Sequence, residues 1–107
     1  MNWEYVDGRI YSKDEEGNLL AEVTYVKVNN KEINIDHVYV NPILRGQGVA
    51  GKAMLVVVDF LRKEGIKATA TCSYANGWFV KNIDKYKDVI SDNISNQTVA
   101  CKIGGNH

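Results

Sequence analysis

The chain has 107 residues, 45% hydrophobic and 24% charged, with 13 basic against 13 acidic residues and a formal net charge of zero. That length suits one small domain over 1–107, and the balanced charge argues against a general nucleic-acid binder, which carries a basic excess. No apolar run approaches the roughly 20 residues of a membrane helix, and the opening MNWEYVDGRI lacks an apolar signal core, so the expectation is a cytoplasmic protein, away from membranes, with Cys72 and Cys101 as free thiols.

Residues 9–14 (RIYSKD) predict a first short strand, and 14–18 (DEEGN) a turn with Gly17-Asn18 at its tip. Residues 19–28 alternate apolar and polar at strand period, Asn29-Asn30 makes a second turn, and 32–40 (EINIDHVYV) alternates cleanly except at Asp36-His37-Val38, as it would at a bulge. Three strands joined by tight turns make an antiparallel meander. Pro42 ends the third predicted strand because it has no N–H for a ladder. Over 49–65 the apolar residues Val49, Ala53, Val56, Val57, Phe60 and Leu61 recur at helical spacing, and Lys63 and Gly65 suit a helix C-terminus. The run Val56-Val57-Val58 has poor helix propensity, so tertiary packing must hold it. Residues 66–72 (IKATATC) alternate like a strand, and the helix before them makes this strand parallel to the third one, through a right-handed crossover. Residues 74–82 predict a short helix, with Asn76-Gly77 leaving a hairpin turn open. Residues 84–90 read as a second short helix or an extended tail. The last stretch, 91–107, is polar and Asn-rich, with 98–103 a candidate edge strand.

The segment 45–53 (RGQGVAGKA) carries overlapping phosphate-binding patterns. Gly46, Gly48 and Gly51 spell the dinucleotide fingerprint, which needs an acidic residue at the end of the next strand for the ribose. That place holds Ala70-Thr71-Cys72, with no acid. Gly46, Gly51 and Lys52 spell a P-loop, which needs Ser or Thr next to hold magnesium. The residue there is Ala53. What fits is an anion cradle: a strand, a turn, Arg45, then backbone N–H groups from Gly46 to Gly51 at the start of a helix. Glycines let the backbone approach a ligand closely, and Arg45 and Lys52 add charge. Such a cradle suits the pyrophosphate of coenzyme A. The plain alternative is a glycine-rich turn that only starts a helix.

The run 36–55 (DHVYVNPILRGQGVAGKAML) resembles motif A of the GNAT superfamily of N-acetyltransferases, including its R-x-x-G-x-A element at Arg45, Gly48 and Ala50. His37, then Val40-x-Pro42, Arg45 to Ala50, Cys72-Ser73-Tyr74-Ala75 and Tyr86 to Ile90 together resemble a subfamily of very short, single-domain GNAT-like proteins, over roughly residues 5 to 90. The resemblance implies an α+β GNAT-like fold: the meander, a strand-helix-strand crossover, and a mixed sheet splayed to hold CoA. It implies acetyl-CoA as cosubstrate and an amine acceptor, either protein or small molecule. The backbone of Val38, Tyr39 and Val40 would pair with the pantetheine arm. The loop of Arg45, Gly46, Gln47, Gly48, Val49 and Ala50, continuing into Gly51 and Lys52, would hold the pyrophosphate.

Acetyl transfer needs a base and stabilisation of the oxyanion and departing thiolate. Larger GNAT members often carry a Tyr donor on the helix that 75–82 resembles, but here Phe79 stands at that position and cannot donate. Tyr74 and Tyr86 are nearby candidates. Cys72, ending a strand at the expected cleft, is a candidate nucleophile, and short relatives carry a Cys there; the competing reading is a small buried hydrophobe. His37 is a candidate base. Asn76 is a candidate for contact with substrate or CoA, against a role at the helix start. One Cys and one His are too few for a zinc site, so no metal is expected. The other reading kept open is a non-catalytic module that binds CoA or acyl-CoA. Compared with larger members, the short meander leaves out extra N-terminal helices, which implies an open acceptor cleft.

Overall fold

The computed structural model describes residues 1–92 and Ile94. Among the described residues five strands form one mixed sheet in sequence order: β1 (Glu4–Val6), β2 (Arg9–Lys13), β3 (Leu19–Asn29), β4 (Glu32–Val40) and β5 (Lys67–Ala70). The helices are α1 (Val49–Glu64), α2 (Ser73–Lys81) and α3 (Ile83–Tyr86). The first four strands pair antiparallel, and β5 runs parallel to β4 after the α1 crossover. This is the mixed α/β arrangement expected from the sequence. The strand β1 was not foreseen.

Local chemistry sets each turn. At the β2–β3 hairpin the Asp14 carboxylate accepts the N–H groups of Glu16 and Asn18, both at 2.9 Å, and Gly17 takes φ 87°. At the β3–β4 hairpin the Asn29 side chain accepts the Lys31 N–H at 2.8 Å.

The break in the β4 alternation is a real bulge. Thr24 pairs with His37 and Tyr25 with Ile35, so Asp36 is the extra residue. Its effect is on side-chain parity. Ile33 and Ile35 face the core, and after one inserted residue so do Val38 and Val40. Without the insertion, a strict period of two would turn Val38 and Val40 to the opposite face. The Thr24 hydroxyl donates to the Asp36 carboxylate and holds the bulge across the strands.

Helix α1 covers the inner face of the sheet with Val49, Ala53, Met54, Val57, Val58 and Leu61. Val56 and Phe60, expected in this stripe, lie at its partly buried margin, and Met54 and Val58 complete it. Burying each of the larger side chains contributes about 1.5–3 kcal/mol, which outweighs the weak helix propensity of the valine run. Gly65 ends the helix in the left-handed region at φ 69°, its N–H donating back to Arg62 and Leu61.

Segment 74–82 resolves as a helix, α2, and not as a hairpin turn. After α3 the chain extends: Ala68 donates to Val89 and Ser91 donates to Ala68, both at 2.8 Å, so 89–91 line the far edge of β5. The candidate edge strand 98–103, with Cys101, lies outside the described residues.

Candidate active site

The parallel pairing of β4 with β5 is short. Glu32 to Ile35 pair with Lys67 to Ala70. Then the N–H groups of Thr71 and Cys72 both turn onto the Ile35 carbonyl, at 3.1 and 3.2 Å, and the chain leaves as α2. From Asp36 to Val40, β4 is paired with β3 alone among the described residues. The sheet therefore opens at the bulge. The β4 edge that carries Val38, Tyr39 and Val40 is left with backbone groups that need partners.

A short exit turn connects that edge to the glycine loop. Asn41 fixes the exit: its N–H donates to Leu20, its side-chain amide donates to Leu19 at 3.1 Å, and its side-chain oxygen accepts the Ile43 N–H at 3.0 Å. A 3-10 turn over Pro42–Leu44 follows, then Arg45, Gly46, Gln47 and Gly48, all exposed. Gly46 and Gly48 have φ of 84° and 73°, where other side chains are strained. A Cβ added at either would meet nothing within 4 Å. Gly48 is the N-cap of α1, and the first bonded amide is that of Lys52, which donates to the Gly48 carbonyl at 3.1 Å. The amides of Val49, Ala50 and Gly51 are first-turn donors without an intrahelical partner, at the positive end of a 16-residue helix. Exposed amides at a helix N-terminus are donors that can receive an anion.

The remaining candidates lie in different surroundings. His37 is exposed on the bulge and shares a sheet face with its register partner Thr24, away from α1. Cys72 is fully buried as a free thiol in the core cluster, at the N-cap of α2. Tyr74, partly buried on the first turn of α2, points its hydroxyl at the first turn of α1: a Cβ on Gly51 would lie 4.0 Å from that oxygen. Burial pushes the Tyr74 phenol above its ordinary pKa, and the adjacent Cys72 adds to the shift. Tyr86 instead stacks on Trp78, with ring centroids 5.3 Å apart, and sits beside Arg62. Phe79 is fully buried. The Asn76 side-chain amide donates to the carbonyls of Ala70 and Ile94, at 3.0 and 3.1 Å. The sequence reading missed Thr24, because a clasp between residues twelve apart on neighbouring strands leaves no local pattern.

Among the described residues no cluster of His, Cys, Asp and Glu is suited to a metal ion. No helix among them is long and apolar enough to cross a membrane.

Residues 9–89 match the family described as GCN5-related N-acetyl-transferase. A GCN5-like protein from Staphylococcus aureus, solved by NMR and proposed to be an N-acetyltransferase, is 40% identical with a TM-score of 0.69 over 84% of this chain and 87% of that one. Ard1 from Thermoplasma volcanium shares the fold at 16% identity and a TM-score of 0.51, over 59% of this chain and 43% of that one. A proposed phosphinothricin N-acetyltransferase does so at 22% identity and a TM-score of 0.50, over 58% and 42%. A search of curated proteins finds no match. The chain belongs to the GCN5-related N-acetyltransferase family, and its class of chemistry is acetyl transfer.

Proposed function

We propose that this protein transfers an acetyl group from acetyl-CoA to an amine, with the donor held along β4 and the 45–52 loop. One observation carries the reading. The β4 edge released at the Asp36 bulge leads, through Asn41 and the Pro42–Leu44 turn, into the glycine cradle at the N-terminus of α1. Pantetheine amides would pair with the backbone of Val38 to Val40, and the pyrophosphate would sit on the amides from Gly46 to Gly51. Arg45 and Lys52, both exposed, supply cations at the rim.

The thioester provides an activated acetyl group. The acceptor nitrogen attacks its carbonyl carbon, forming the C–N bond as the C–S bond breaks. His37 takes the proton lost by the amine, and Tyr74 gives its phenol proton to the departing thiolate. The raised pKa of Tyr74 keeps that proton in place at neutral pH. The fully buried Cys72 thiol favours direct transfer. Its place at a helix N-cap beside the opening keeps an acetyl-Cys72 route testable. His37 on the open sheet face suits an acceptor arriving from that face, such as an exposed lysine, a chain N-terminus or a small amine.

The test is an intact-mass spectrum after incubation with acetyl-CoA, under native and denaturing conditions. Direct transfer predicts a native adduct that denaturation removes. An acetyl group that survives denaturation in the parent protein and is absent from Cys72→Ala would establish the covalent route. No adduct under either condition leaves the loop as a helix-starting turn without a ligand.

A further inference from the structure

The end of the sheet remote from the glycine loop holds a hollow of about 430 Å³, independent of the acetyl-transfer reading. It lies where β4 begins and α1 ends, roughly 25 Å from the loop by the length of a nine-residue strand. Three aromatic rings form one wall. Tyr5 stacks on Phe60 with centroids 6.0 Å apart, and Tyr25 packs on the same ring at 5.7 Å. Tyr5 remains 54% exposed, so the wall faces solvent.

The charges around the hollow are unbalanced. Asp7, Glu32 and Glu64 line it against a single cation, Lys27. None of the three carboxylates has an ion-pair partner among the described residues. Glu64 is also the last residue of α1, at the negative end of the helix dipole, where a carboxylate is unfavourable unless a cation offsets it. Of the basic residues in the last turn, Arg62 is committed to Asp88, and Lys63 lines a second hollow that Glu64 borders together with Asp59, without an ion pair between Lys63 and Glu64.

Glu32 already accepts the Ser91 hydroxyl at 3.0 Å, which leaves Asp7 and Glu64 as the carboxylates with no side-chain partner among the described residues. Aromatic faces beside carboxylates that lack an ion-pair partner are the chemistry that recognises an organic ammonium group: the rings attract the cation through their quadrupole and the carboxylates take its N–H groups or its charge. The size of the hollow falls in the range of small-molecule sites. We propose that this hollow is a binding site for a small organic ammonium ion, separate from the acetyl-transfer site. The rings hold the alkylammonium body and Glu64 is the principal counter-charge.

The test is a ¹⁵N NMR titration of the full chain with 1,4-diaminobutane and with tetramethylammonium, at constant ionic strength set with sodium chloride. Saturable shifts for both probes at 5–8, 25–32 and 60–66 are the expected result. Glu64→Gln should weaken diaminobutane about fivefold, the scale of one near-surface ion pair. Phe60→Leu, with folding checked by its spectrum, should weaken tetramethylammonium about threefold or more. Shifts that do not saturate would overturn the proposal. So would shifts confined to the β4–α2 opening, or diaminobutane binding unchanged by Glu64→Gln.

Discussion

The Tyr74 hydroxyl stands against the first turn of α1, 4.0 Å from where a side chain on Gly51 would begin. This approach brings α2 close to the N-terminal turn of α1. Phe79 is fully buried and has no proton to give, so under the proposed function the donor to the thiolate is Tyr74, whose pKa burial raises. Tyr74→Phe should keep the fold and lower kcat about 100-fold, the usual scale for losing one general acid, with little change in KM. The pH profile gives a second readout. The phenol is active in its protonated form, and burial raises its pKa, so activity should persist through neutral pH and fall only above the ordinary tyrosine range. That alkaline limb should vanish in Tyr74→Phe.

The sequence made β4 legible to the residue, including the bulge, because a slip in a period-two pattern is a direct record of an inserted residue. The loop was legible for the same kind of reason: glycine spacing ahead of an apolar 3.6-residue period fixes a helix start. The strand β1 was missed even though Asp7-Gly8, with Gly8 at φ 80°, is a two-residue hairpin signal, since only three residues precede that turn in the strand. The approach of the Tyr74 hydroxyl to the Gly51 turn and the bonds of Asn76 to Ala70 and Ile94 come from how α2 packs on α1 and β5, and no local pattern encodes that.

Gly48 takes φ 73° in open space, so its lack of a side chain serves the backbone conformation and not packing, and leaves room for the ligand of the proposed function. Gly48→Glu adds strain of about 1–2 kcal/mol for a left-handed non-glycine residue. It also places a carboxylate among the donors meant for an anion. Calorimetric titration with CoA should show affinity reduced at least about tenfold, well beyond what the loss of stability explains. Unchanged affinity would remove the cradle from the reading.

Asn76 stood among the candidates for contact with CoA, yet its amide hydrogens are used on two backbone carbonyls. We expect Asn76→Ala to act on stability. Leaving the acceptors of two buried residues, Ala70 and Ile94, without these bonds costs about 1–3 kcal/mol. Thermal unfolding should move down while CoA affinity stays within about twofold, less than the loss of a single hydrogen bond. A large fall in affinity with unchanged stability would restore a direct contact.

Arg62 on α1 and Asp88 after α3 make a two-pronged pair, Nε to Oδ2 at 2.8 Å and Nη2 to Oδ1 at 3.0 Å. The Arg62 guanidinium holds the Asp88 carboxyl below its usual pKa, and Asp88 in turn raises that of Arg62. A carboxyl depressed in the folded state adds stability above its unfolded pKa, and that stability is lost as pH falls through the folded value. Asp14, depressed by the N–H groups of its own turn, acts in the same direction. The melting temperature should therefore decline on acidification below the ordinary aspartate range. Asp88→Asn should flatten part of that decline and leave the neutral-pH melting temperature only slightly lower, because the pair is exposed and screened by water. Adding salt should narrow the neutral-pH gap between the two proteins. A gap that ignores salt would mean that Asp88 acts through packing of the 88–91 segment on β5 and not through its charge.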